Sequence, residues 1–143
     1  MSSGSSRSEG SEPSPRRGGS KPRGRAARRR AWRRGRWSEA LCRLVLRLKG
    51  YRILASGFRV PVGEIDIVAQ RGAVVAFVEV KARATLDDAA EALGARQRQR
   101  IARAAAAFLA QNPRVAGLTP RFDVMLVRPL KAPLHLEAAW RAE

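Results

Sequence analysis

The stretch VVAFVEVKAR, residues 74–83, begins as a run of apolar side chains typical of a buried β-strand. Glu79 and Lys81 then interrupt that run. Because side chains alternate faces along a strand, these two charged groups should project to the same side, together with Val75 and Phe77. A carboxylate and an ammonium placed two residues apart in this setting indicate either an ion pair on an edge strand or a functional site.

The segment before this strand is its predicted hairpin partner. Residues 64–70 read Glu-Ile-Asp-Ile-Val-Ala-Gln, the alternation of a half-buried strand. Arg71-Gly72 predicts a tight turn between the two strands. Alternation predicts that Ile65 and Ile67 share one face, while Asp66 takes the other.

The predicted hairpin places several charged groups at one end. Pairing about the turn sets Asp66 roughly level with Glu79 or Lys81. Burying carboxylates is costly unless a cation compensates them, and Lys81 can compensate only one. With Glu64 or Glu39 nearby, the excess negative charge predicts a divalent cation, and oxygen ligands of this kind suit Mg²⁺.

The remaining segments complete an α/β pattern. Helical periodicity extends over residues 35–49 and again over residues 95–110, and further strands are predicted at residues 51–60 and 121–127, with a short strand at 134–138. This order predicts a mixed central sheet flanked by helices. The apolar face of the first helix is predicted to consist of Trp37, Leu41, Leu44, Val45 and Leu48.

The charge of the chain is large and uneven. The 143 residues carry a formal net charge of +17, and residues 1–37 hold 12 Lys or Arg against 2 Asp or Glu. Residues 1–34 are rich in Ser, Gly, Pro and Arg and should form a disordered basic arm ahead of one domain at 35–143. Such a charge favours a polyanionic partner, either nucleic acid or an anionic surface.

The rest of the composition bears on the cellular compartment, on membrane insertion and on zinc binding. The single cysteine, Cys42, excludes an intrachain disulfide, is expected to be buried, and fits a cytoplasmic protein. No run approaches the roughly 20 apolar residues of a membrane span, so a membrane protein is not predicted. Asp123 is interpreted as structural. His135 has no cysteine or second histidine to complete a zinc site.

Several motifs together carry a resemblance to a known family. Asp66, followed after twelve residues by Glu79-Val80-Lys81, resembles the PD-(D/E)xK nuclease signature, with Ile65 in place of its proline. Further segments make the chain similar to the bacterial YraN-like family, which resembles archaeal Holliday-junction resolvases in fold. These segments are Gly50-Tyr51-Arg52-Ile53-Leu54, Gly63-Glu64-Ile65-Asp66-Ile67-Val68, Phe77 to Arg83 and Arg121-Phe122-Asp123-Val124.

The resemblance implies a restriction-endonuclease-like core that holds Mg²⁺ or Mn²⁺ and hydrolyses phosphodiester bonds, with branched DNA as the substrate by analogy. It implies that Asp66 and Glu79 are metal ligands, that Glu39 completes the site, and that Lys81 is the catalytic lysine. DNA is favoured over RNA, a homodimer is left open, and the alternative is a nucleic-acid-binding module that does not cut. The residues expected to contact phosphates are Arg83, Arg96, Arg98 and Arg100.

Overall fold

The computed structural model describes residues 23–82 and 93–142, with side chains from Gly35 onward. It confirms the α/β class. A mixed five-stranded sheet has the order β1-β2-β3-β4-β5, in which β3 and β4 are parallel and every other neighbouring pair is antiparallel. The elements are α1 (Arg23–Leu48), β1 (Arg52–Val60), β2 (Gly63–Arg71), β3 (Val74–Ala82), α2 (Ala95–Gln111), β4 (Thr119–Val127) and β5 (Leu134–Trp140).

Helix α1 differs from its prediction in two respects. It begins at Arg23 rather than near Gly35, since alanine and arginine are strong helix formers even without an apolar stripe. The predicted buried face is also wrong in part, because 71% of Trp37 is exposed, as are most of Leu44 and Leu48, whereas Val45 packs against the core. The residues that α1 buries against the sheet are Ser38, Cys42 and Leu46. Residues 1–22 of the predicted arm lie outside the described part of the chain.

Two apolar layers hold the helices on opposite faces of the sheet. The layer under α1 contains Cys42, Leu46, Ala76 and Val78, and the layer under α2 contains Val75, Phe77, Ile101 and Phe108. Successive residues of β3 therefore enter opposite layers, as alternation requires.

Helix α2 approaches the start of β2 very closely. A Cβ atom added to Gly63 would lie 2.2 Å from the carbonyl oxygen of Arg100. Only a residue without a side chain permits this contact. The helix is thereby positioned directly over the strand that carries Asp66.

The sheet opens at the site predicted from sequence. Hydrogen-bonded pairing of β2 with β3 runs from Arg71 opposite Val74 to Ile67 opposite Val78 and is not continued to Asp66. The prediction that Ile65 and Ile67 share a face is wrong, because Ile65 packs under α2 and Ile67 under α1. The strand turns over at Asp66, so its carboxylate enters the opening between β2 and β3.

Candidate active site at the opening between the second and third strands

Asp66 and Glu79 meet where β2 and β3 separate. Asp66 Oδ2 accepts a hydrogen bond of 2.8 Å from the backbone N–H of Val80, taking the place of a backbone acceptor in the interrupted ladder. The Asp66 and Glu79 side chains are hydrogen-bonded to each other. Lys81 Nζ lies 3.2 Å from Glu79 Oε1, which confirms that these two side chains share a face.

Burial makes this group of charges unusual. The exposed fractions of the Glu79 and Lys81 side chains are 9% and 19%. Burial, reinforced by the negative charge of Asp66, raises the pKa of Glu79 to about 7 despite the nearby Lys81 ammonium. Burial also raises the pKa of Asp66, against the opposing effect of the Val80 N–H. We assign the shared proton to Glu79, whose carboxyl group donates a hydrogen bond to the Asp66 carboxylate.

Helix α1 brings a third carboxylate to the pair. The Glu39 side chain is hydrogen-bonded to Asp66, and burial followed by the charge of Asp66 raises the pKa of Glu39, while Arg43 lowers it. One turn further along, Cys42 is buried as predicted, and its pKa is raised to about 12 by burial and by the negative charges of Asp66 and Glu39. The thiol is therefore protonated and unreactive near neutral pH.

The three carboxylates do not form a ready-made cage. Asp66 lies between Glu39 and Glu79, and no group of three acidic, histidine or cysteine side chains in residues 35–82 and 93–142 is arranged to enclose a metal ion. A cage is not required for Mg²⁺, which commonly uses one or two carboxylates and completes its shell with water and substrate phosphate. The donors present fit such a two-carboxylate site.

Glu64 and the predicted phosphate-contacting arginines occupy different parts of the surface. Glu64 is half exposed and pairs with Arg59 at 3.1 Å, and it contributes negative charge near Asp66. Three predicted phosphate contacts lie exposed on the first two turns of α2, and the fourth, Arg83, lies outside the described residues. The three on α2 are Arg96, Arg98 and Arg100.

Those three arginines do not form a single stripe. Arg96 and Arg100 are four residues apart and share a side of α2. Arg98 instead lines a cavity of about 370 Å³ together with Trp140 and Arg141. The structure therefore places two of these arginines on one surface and directs the third elsewhere.

Asp123, interpreted from the sequence as structural, is the centre of a second polar network whose other members were not predicted. Asp123 is fully buried in β4, where it accepts bonds of 2.8 Å from Arg121 and a bond of 3.0 Å from the backbone N–H of Ala138, and it pairs with His135 at 2.8 Å. Burial alone would raise the pKa of Asp123, but these hydrogen bonds hold it below its usual range. His135 Nδ1 also lies 2.6 Å from Lys49 Nζ.

This network fastens β5 and the end of α1 to the sheet. Arg121 Nη2 donates to the hydroxyl of Tyr51 at 2.5 Å, which links the network to the segment between α1 and β1. Its partners lie as far apart as Lys49 and His135, so nothing local in the sequence indicated them. The one available signal was a pair of polar residues, Arg121 and Asp123, in an otherwise apolar strand.

The fold and the site together define a class. This is an α/β protein with a five-stranded mixed sheet, in which a buried acidic pair and a lysine lie where two strands separate. The sequence profile of the family described as "Uncharacterised protein family UPF0102" matches residues 38–127, and the chain belongs to this family, the YraN-like group. No helix in the described part of the chain is long and apolar enough to cross a membrane.

Relatives in several bacteria share most of the chain. A UPF0102 protein of Paramagnetospirillum magneticum is 54% identical over 121 residues, covering 82% of this chain and 94% of its own. A UPF0102 protein of Rhodopseudomonas palustris (strain BisB5) is 56% identical over 112 residues, covering 78% of this chain and 86% of its own. A UPF0102 protein of Parvibaculum lavamentivorans is 52% identical over 111 residues, covering 78% of this chain and 84% of its own.

Proposed function

We propose that this protein is a metal-dependent nuclease that hydrolyses phosphodiester bonds in nucleic acid. The observation that carries the proposal is the buried Asp66–Glu79 pair with Lys81 Nζ 3.2 Å from Glu79. Burying two neighbouring carboxylates costs free energy unless a cation compensates them. Ionisable groups with strongly shifted pKa values are concentrated at functional sites.

The charge balance favours a divalent cation at the acidic pair. Three carboxylates, those of Glu39, Asp66 and Glu79, face two cations, Lys81 beside Glu79 and Arg43 beside Glu39, and protons relieve the remaining negative charge in the metal-free protein. Asp66 and Glu79 would hold Mg²⁺ or Mn²⁺, and Glu39 would orient Asp66 through its hydrogen bond. When bound, the metal would polarise a phosphodiester and lower the pKa of a coordinated water.

The chain's own residues supply the remaining requirements. The Val80 N–H holds the Asp66 carboxylate in a defined orientation. The Lys81 ammonium can orient a water molecule and offset the negative charge that develops on the phosphate in the transition state. The net charge of +17 would retain a polyanion near the site. By resemblance to resolvases, branched DNA is the first substrate to test.

The test is a cleavage assay on linear, single-stranded and branched DNA and RNA with Mg²⁺ or Mn²⁺. The wild type should cut at least one of these substrates. Lys81→Ala should be slower by roughly 100-fold or more, the usual loss when a group that stabilises the transition state is removed. Lys131→Ala, at an exposed lysine, is the charge-matched control. Equal behaviour of wild type and Lys81→Ala on every substrate would refute the proposal.

A second candidate is a nucleic-acid-binding module of the same fold that does not cut. The excess of basic residues favours it, because phosphate binding requires charge but no catalytic centre. Salt-dependent binding that is unaffected by divalent metal, without cleavage of any substrate, would identify this function.

A further inference from the structure

A concave basic groove lies between α1 and β1. Its volume is about 380 Å³, and it opens to solvent beside the sheet. We name it the α1–β1 groove. Its lining residues are Arg36, Glu39, Arg43, Arg47, Ser56 and Gly57.

The three arginines form a row along one side of α1. Arg43 follows Arg36 by seven residues and Arg47 follows Arg43 by four, spacings that return to the same side of a helix. At about 1.5 Å per residue, the row extends roughly 16 Å along the helix axis. This side is distinct from the side that buries Cys42 and Leu46 against the sheet.

The floor of the groove is open because β1 is irregular there. Gly57 has a φ of +64°, which a glycine adopts without strain, and no heavy atom lies within 4 Å of where its Cβ would be. Ser56 pairs with Ile67 and Phe58 with Ile65, so Gly57 lies opposite Asp66. No side chain therefore projects from β1 at the level of the acidic pair.

The groove leads to the candidate active site through a shared residue. Glu39 lines the groove and is also hydrogen-bonded to Asp66. The row of arginines thus passes beside the acidic centre, with Arg36 before Glu39 and Arg43 and Arg47 after it. Planar guanidinium groups match the geometry of phosphate oxygens, with which they form bidentate hydrogen bonds.

We propose that the α1–β1 groove binds the phosphodiester backbone of nucleic acid and directs one strand to Asp66 and Glu79. This inference rests on the proposed function and extends it, because it assigns the substrate path to α1 rather than to α2 alone. The positive row holds the strand, the glycine floor lets the backbone approach, and the carboxylates lie beside it.

The test measures binding without cleavage. Full-length protein in EDTA is titrated against fluorescently labelled single-stranded and duplex DNA at several salt concentrations. The groove variant Arg43→Gln/Arg47→Gln is compared with Arg52→Gln/Arg114→Gln, two exposed arginines beside the C-terminal end of α2. Both double variants lose the same charge, and glutamine retains helix propensity, which circular dichroism and thermal melting would verify.

Two lost phosphate contacts should make the slope of log K against log salt shallower by about 1.4 to 1.8, which corresponds to binding roughly 25- to 60-fold weaker near 0.1 M salt. The control variant should change the slope by much less. Identical slopes for the two double variants would overturn the groove assignment. Equal competition by polyglutamate would also overturn it, since that result indicates an acidic-peptide site.

Different results would refute the groove assignment and the proposed hydrolysis. If the groove variant binds weakly but wild type cuts no substrate, the groove assignment stands and hydrolysis is refuted. If wild type cuts and the groove variant retains the wild-type KM and salt dependence, hydrolysis stands and the groove assignment is refuted.

Discussion

Replacing Glu79 with glutamine should stabilise the metal-free protein at neutral pH while abolishing cleavage. Glutamine has nearly the same shape, can accept the hydrogen bond from Lys81, and can donate to Asp66 as the protonated carboxyl does. It differs in one respect that matters here, because it never has to ionise inside the fold. The substitution therefore removes the cost of a buried negative charge beside Asp66.

The magnitude follows from the raised pKa of Glu79. Its pKa moves from 4.5 to about 7, which at about 1.4 kcal/mol per pH unit corresponds to roughly 3 kcal/mol. Because the folded-state pKa lies above the unfolded one, the folded protein binds more protons between these values, and its stability falls as pH rises. The free energy of unfolding of Glu79→Gln should equal that of wild type near pH 4.5 and should exceed it by up to about 3 kcal/mol above pH 7.

Urea denaturation in EDTA at a series of pH values measures this difference directly. Subtracting the wild-type free energy of unfolding from that of the variant cancels the titration of groups such as Asp123. Glu137→Gln, on a half-exposed carboxylate in β5, removes the same charge and serves as the control. A constant difference between Glu79→Gln and wild type across pH 4.5 to 7.5 would show that Glu79 ionises without cost, and the reasoning about the buried pair would be wrong.

Three further perturbations test the metal site and the fold. At about a hundred times its dissociation constant, Mn²⁺ should stabilise wild type by about 2.7 kcal/mol and Asp66→Asn far less, as measured by thermal melting, and an equal effect on both would place the ion elsewhere. Gly63→Ala should cost about 1 to 3 kcal/mol or more in urea denaturation, because its Cβ would overlap the carbonyl of Arg100, whereas Gly117→Ala, with open space around it, should cost much less. Asp123→Asn should cost about 3 kcal/mol, because it removes the nearer counter-charge of a largely buried arginine and leaves only Glu137 at 3.7 Å, and an unchanged denaturation midpoint would contradict that role.

Much of the central hairpin could be predicted from local patterns. The period-two alternation of residues 64–70 and 74–81 identified both strands, and the short turn between them set the register, which ends with Ile67 opposite Val78, one residue before Asp66 and Glu79. Glu79 and Lys81 could be placed on one face because that relation depends only on strand geometry. The second helix, Ala95–Gln111, was likewise predicted within one residue from its apolar spacing.

The sequence by itself thus determined the α/β class, the hairpin and the pairing of Glu79 with Lys81, since each depends on residues close together in the chain. Only the tertiary structure decided which side of α1 is buried, because its apolar residues cover more than one side and the sheet selects Cys42 and Leu46 over Trp37. That choice in turn brings Glu39 to Asp66 and sets the row of arginines beside β1. Helix periodicity specifies which residues share a side, whereas the docking of one element on another, governed by the total packing of both surfaces, decides which side faces the core.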